Sequence, residues 1–243
     1  MKTAGIDSCK YGWVAASYND GQVLVFKTIA EILDHYKDDY AFLIDIPIGL
    51  SGENRNNRTC EKEARTALPA NKKSSIFPVP CREALHAGSY NEANAINKAI
   101  LGRGLSKQSW FIMPKIKEVD DLLIQDPDVR LQIHESHPEI GFQFLNGNAP
   151  LLYTKKTIEG IAERLSILTM HNHRSESLYK KALLQYKRNQ VAKDDILDAL
   201  CLALMQDVIH SQPNKYKMCR FASNPLHDEH GIEMAIYYGC TKQ

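Results

Sequence analysis

The sequence predicts a mixed α/β fold in which a sheet is laid down early and helices cover it late. Three observations predict it. Short β-rich runs separated by turn residues fill the first 27 positions, an amphipathic segment and a strongly apolar strand follow, and the last third reads as consecutive helices.

Taken in order, the strands are Thr3 to Ser8, Trp13 to Tyr18 and Val23 to Phe26, divided by Lys10-Tyr11-Gly12 and by Asn19-Asp20-Gly21, the latter a strong hairpin signal. Ile29, Ile32, Leu33 and Tyr36 share one face of a helix over 29–36, and Ala41 to Ile46 is the fourth strand. From Pro47 to about Pro127 the pattern turns irregular. Pro69, Pro78, Pro80 and Pro114 punctuate short helical pieces such as Thr59 to Ala67 and Ser89 to Ile100. This reads as a helical insertion over about 48–127 after the fourth strand. Leu131 to Ser136 is a fifth strand, which Pro138 stops. Helices follow at roughly 157–171, 175–188 and 192–210, and the tail offers two weak strands, Met218 to Ala222 and Glu233 to Tyr238. The expected order is β-β-β-α-β-α-β-α with extra C-terminal helices, in one domain spanning 1–243.

A chain of 243 residues with 44% hydrophobic content can bury a substantial core. Its formal net charge of +1 means that attraction to nucleic acid would have to come from local basic patches. No apolar run approaches the roughly 18–20 residues needed to cross a bilayer, and Asp7 and Lys10 interrupt the N-terminal apolar stretch, so neither a signal peptide nor an anchor is expected. Six scattered cysteines without a CxxC pair, in a chain too long to need disulfide staples, fit a reducing cytoplasm.

Four aspartates carry the chemical signal. Asp7 ends the first strand, and Asp45 sits in the fourth among Phe42, Leu43, Ile44 and Ile46, where an ionised carboxylate is costly unless a cation or hydrogen-bond donors meet it. Taken singly, each also fits an Asx turn that closes its strand. On the last helix Asp195 and Asp198 are three apart, which puts their side chains roughly 5–6 Å from one another on one face. Asp194 reads best as a helix-start residue. Asp198 has the weakest structural excuse, being a turn inside an otherwise apolar helix.

The segments GIDSCKYGWVAA, IDIPIGL, RTCEKEAR, SSIFPVPCREAL, ESHPEIGFQFLNG and KDDILDALCLAL resemble a bacterial family of unknown function whose members are predicted RNase H-like nucleases. The resemblance spans nearly the whole chain and implies an RNase H-like mixed sheet with a carboxylate site. The last segment also resembles the terminal helix of Holliday junction resolvases, to whose acidic pair Asp195 and Asp198 correspond. The expected site is therefore Asp7, Asp45, Asp195 and Asp198 as metal ligands, with Glu135 as a fifth catalytic carboxylate in preference to Glu139. His137 reads as a supporting or structural residue. Hard oxygen donors without a Cys/His cage point to Mg2+ or Mn2+, and two such ions would serve phosphodiester hydrolysis.

Substrate contacts are expected from Lys107, in an acid-free segment over 98–117 that reads as a phosphate-binding flap, and from Ser74, Ser75 and Arg82. Arg55, Arg58, Lys62, Arg65, Lys72 and Lys73 form a second basic group. The expected partner is nucleic acid or a nucleotide-containing substrate. The competing readings are a binding module on the same fold that hydrolyses nothing, and an actin-like or sugar-kinase architecture, which usually needs two repeated halves and a longer chain.

Overall fold

The computed structural model describes residues 2–37, 39–53 and 57–242. These form a mixed α/β structure whose residues fall into two compact units. The first comprises 1–45, 132–219 and 237–243, the second 46–131 and 220–236.

The first unit is organised by a five-stranded mixed sheet. Its strands are β1 (Lys2–Ser8), β2 (Trp13–Ser17), β3 (Gln22–Phe26), β4 (Tyr40–Ile44) and β5 (Ile133–Glu135), arranged β3-β2-β1-β4-β5. The first three run antiparallel, while β4 pairs parallel with β1 and with β5. Helix α1 (Ile29–Tyr36) lies between β3 and β4 in the chain; Thr28 Oγ1 accepts from Glu31 N, and Tyr36 meets Phe26 and Phe42. Helices α5 (Pro138–Leu145), α6 (Ile158–His171), α7 (Ser175–Gln185) and α8 (Lys193–Ser211) also belong to this unit.

Pairing register settles the faces of the sheet. Gly5 lies opposite Ala16 and Leu43, and a Cβ at Gly5 would collide with the Ala199 carbonyl and the Ala203 amide of α8. Thr3, Gly5, Asp7, Val14, Ala16, Val23, Leu43 and Asp45 therefore share the α8 face, since side chains alternate along a strand. Close approach needs small residues on both sides, and Gly5 with Ala199 and Ala203 provides them. Ile196, Leu197, Leu200, Cys201, Leu202 and Leu204 are buried around the rest of α8, packed with Phe142, Leu168, Leu178 and Ala182 from the three other helices. Each such side chain contributes on the order of 1.5–3 kcal/mol on burial, which outweighs the cost of an aspartate inside this helix.

Two helices depart from the sequence expectation. Pro138, expected only to stop a strand, stands at the first turn of α5, where its missing N–H costs no helical bond. Pro114 lies within the 19-residue α4 (Lys107–Gln125) rather than ending it. Residues 98–117 are thus not a flap but the end of α3 (Tyr90–Leu101), a connection, and the first half of α4. Lys115 and Lys117 pair along α4 with Glu118 and Asp121. Phe111, in the first half of α4, is 76% exposed.

The second unit contains α2 (Cys60–Ala67), α3 and α4, and takes in residues 220–236 from the ends of β6 (Tyr216–His227) and β7 (Glu233–Thr241), which pair as a two-stranded sheet. Arg82 is its polar anchor. The buried guanidinium reaches both oxygens of Asp120 at 2.9 Å, and also bonds Asp228 and Glu229. The first-unit portions of the hairpin carry the pair Cys219–Cys240, a disulfide that the sequence reading did not expect.

Candidate functional site

Three buried or half-buried carboxylates are delivered to one place by three elements. Asp7 closes β1, Asp45 follows β4 and keeps its amide on the Ile6 carbonyl at 3.0 Å, and Asp198 lies one turn inside α8. The first two point to the face on which α8 packs, and Asp198 looks back from that helix with 1% exposure. Asp7 Oδ1 accepts from Ser8 N at 2.7 Å, so the Asx-type bond to its own strand end and the cluster coexist.

Their electrostatics interlock. Burial, and then the charges of Asp45 and Asp198, push the Asp7 carboxyl well above the usual range. Asp45 is raised by burial, with His137 and Lys155 opposing and Glu139 adding to the rise. Asp198 is pushed up to about 6, again chiefly by burial and against the pull of Lys155. Asp195 stands at the rim, partly buried. Its Oδ2 accepts from Ala192 N at 2.9 Å, which caps the start of α8. Asp195 raises Asp7 least among the acids that act on it, so the helix pair expected to work together divides into a capping residue and a cluster residue.

The residue that sequence reasoning missed is Lys155. Its Nζ lies 2.7 Å from Asp198 Oδ2 and 3.9 Å from Asp194 Oδ2, and its charge acts on Asp7 and Asp45 as well. Lys155 precedes α6 in a stretch without periodicity, and no local motif announces it. Behind the cluster, the fully buried Arg164 of α6 pairs with Glu139 of α5 and faces the Phe142 ring at 5.3 Å. Glu139 and Glu135 take different positions relative to Asp45. Glu135 pairs with Ile44, whose side chain lies on the face opposite Asp45, whereas Glu139 is the glutamate whose charge reaches Asp45 and Cys201.

The expected substrate contacts lie in the second unit. Ser74 is exposed, Ser75 Oγ donates to Lys72 O at 2.7 Å, Arg82 is consumed by its buried ion pairs, and Lys107 Nζ sits 3.3 Å from the Tyr90 ring centroid. Of the second basic group, Arg58 is buried against Glu61 and the carbonyls of Ile48 and Gly49, and Arg65 bonds Ile76 O. Arg55 lies outside the described residues.

Residues 5–211 match the family described as "Protein of unknown function (DUF429)". The chain belongs to this family. The DUF429 match begins at Gly5 and ends at the last residue of α8, so it takes in the whole carboxylate cluster together with Lys155 and Arg164. No curated protein and no solved structure matches the chain. Among the described residues no helix is long and apolar enough to cross a membrane.

Proposed function

We propose that this DUF429 protein is a divalent-metal-dependent phosphodiester hydrolase acting on nucleic acid or a nucleotide-containing substrate. The observation that carries the reading is the convergence of Asp7, Asp45 and Asp198 from the ends of two adjacent parallel strands and from the helix covering them. The strand order β3-β2-β1-β4-β5, with its antiparallel start and parallel continuation, supports the RNase H-like resemblance of the sequence.

The donor set fits a hard divalent cation. Carboxylate oxygens are its preferred ligands, and the carboxylate charges that raise Asp7 and Asp198 also favour a cation placed among them. As the side chains stand, no group of three or more His, Cys, Asp or Glu among the described residues could hold a metal ion. Asp198 is engaged by an ammonium instead. Asp7, Asp45 and Asp198 would hold the ion, and Asp195 would remain at the rim. When bound, the ion would supply charge neutralisation at a scissile phosphate and a more acidic water. The chain's own share is positional. Gly5 lets α8 close on β1 and sets the separation of Asp7 and Asp198, while Arg164 neutralises Glu139, whose charge acts on Asp45.

The engagement of Asp198 by Lys155 favours a second reading, in which the site binds a ligand without turnover. Turnover separates the two. With Mg2+ present, the parent protein should hydrolyse at least one of single-stranded RNA, single-stranded DNA, a branched DNA junction or a dinucleotide, and Asp7→Asn and Asp198→Asn should each lose on the order of 100-fold or more of that rate. Equal rates in parent and variants would sink the hydrolase reading.

A further inference from the structure

The cation found among these carboxylates belongs to the chain itself. The Lys155 ammonium donates to Asp198 Oδ2 at 2.7 Å. The backbone carrying it is firmly held. Leu152 N and Tyr153 N donate to the two oxygens of Glu163 at 2.8 and 3.0 Å, and Tyr153 O accepts from Arg164 Nη1 at 3.4 Å. Thr157 N donates to Thr154 O at 3.1 Å, and Thr157 Oγ1 caps α6 by accepting from Gly160 N at 3.0 Å. Gly160 itself passes so close beneath the Thr154 carbonyl that a Cβ there would collide with it.

A fixed backbone with a long, flexible side chain describes a charge that can leave without the strap unfolding. The Lys155 side chain is 37% exposed, whereas that of Asp198 is 2% exposed, so the route out is open to the lysine and closed to the aspartate. The Lys155 charge acts on all three acids, while Arg164, paired with Glu139, also acts on Asp198. An ammonium and a divalent ion held by the one Asp198 carboxylate repel each other in a poorly solvated place, so each weakens the binding of the other.

We propose that Lys155 is the built-in counter-ion of the carboxylate cluster, holding Asp198 in the metal-free protein and displaced from it when a divalent cation binds. The proposal rests on the metal reading above and adds to it that metal affinity is set by competition with a residue of the chain. Displacement sends the ammonium outward, where it is free to meet the anionic substrate that the metal reading calls for.

Mn2+ binding followed by electron paramagnetic resonance or calorimetry tests this without any assay of turnover. Lys155→Met should bind Mn2+ about tenfold or more tightly than the parent, because the competitor has gone. Its melting temperature without metal should fall, and Mn2+ should raise that temperature further than it does in the parent. Lys155→Gln serves as a second variant should the methionine protein not fold. In the unmutated protein, 13C-methylated lysine spectra should show the Lys155 resonance moving on Mg2+ addition. Unchanged or weaker Mn2+ affinity in a folded Lys155 variant, or a Lys155 resonance that ignores Mg2+ at saturation, would overturn the competition while leaving the metal reading standing. Absence of Mn2+ binding in both parent and variants would overturn both.

Discussion

Asp198 keeps its proton to higher pH in the folded chain than in the unfolded one, at about 6 against an ordinary value near 4. The folded state therefore binds more protons across that interval, and the associated stability is fully present below about pH 4 and lost as pH rises through about 6. Asp7 and Asp45 shift in the same direction. Metal-free protein should accordingly show a melting temperature that declines between about pH 4 and pH 6, with a shallower decline in Asp198→Asn; a calorimetric pH series in chelator checks this. Arg164 gives a second test at this scale. It has no exposed surface and neutralises Glu139, so Arg164→Met should cost about 3–5 kcal/mol in urea unfolding by leaving a buried carboxylate uncompensated. Adding Glu139→Gln should recover part of that loss.

Helix α8 shows how an element can be set in place by what it lacks. Gly5, Ala199 and Ala203 are small where β1 and α8 touch, and Gly5→Ala would press a methyl group into the helix backbone. That substitution should destabilise by about 1–3 kcal/mol and weaken Mn2+ binding, since it parts Asp7 from Asp198; urea titration and a metal titration read the two effects separately. Elements of this kind were legible from the sequence where a single period or turn signal dominates. Asn19-Asp20-Gly21 marks the β2–β3 turn, and the apolar run from Ile196 marks α8. Elements opened or crossed by proline were not, because Pro138 and Pro114 are breakers in isolation and become admissible only through position or packing. In the site, Asp7, Asp45 and Asp198 stood out as charges in apolar company. Lys155 did not, since an isolated lysine in an aperiodic stretch looks like ordinary surface, and its role comes from a carboxylate 43 positions away. The choice between Glu135 and Glu139 turned on strand register, which the period of apolar residues alone does not specify for a three-residue strand.

At the scale of the molecule, thiol chemistry offers a direct check. With Cys219 and Cys240 joined, Cys60, Cys81 and Cys201 buried and Cys9 half-buried, the native protein should expose at most one thiol to an alkylating reagent, and the denatured, unreduced protein four. Reduction should lower stability by about 2–4 kcal/mol, because it removes the closure of a loop spanning 21 residues in the unfolded chain. The parallel pairing of β4 with β5 carries a different consequence. The chain leaves β4 at Asp45, at the end where that strand finishes, and must re-enter at Gln132, beside Phe42, where β5 begins. No hairpin turn can join those points. The whole stretch over 46–131 is therefore, for the sheet, one greatly enlarged crossover, and any shortened version of this protein would still need a linker of about a dozen residues there to return the chain along the length of the strand. The size of that stretch is open to change, but its span is not.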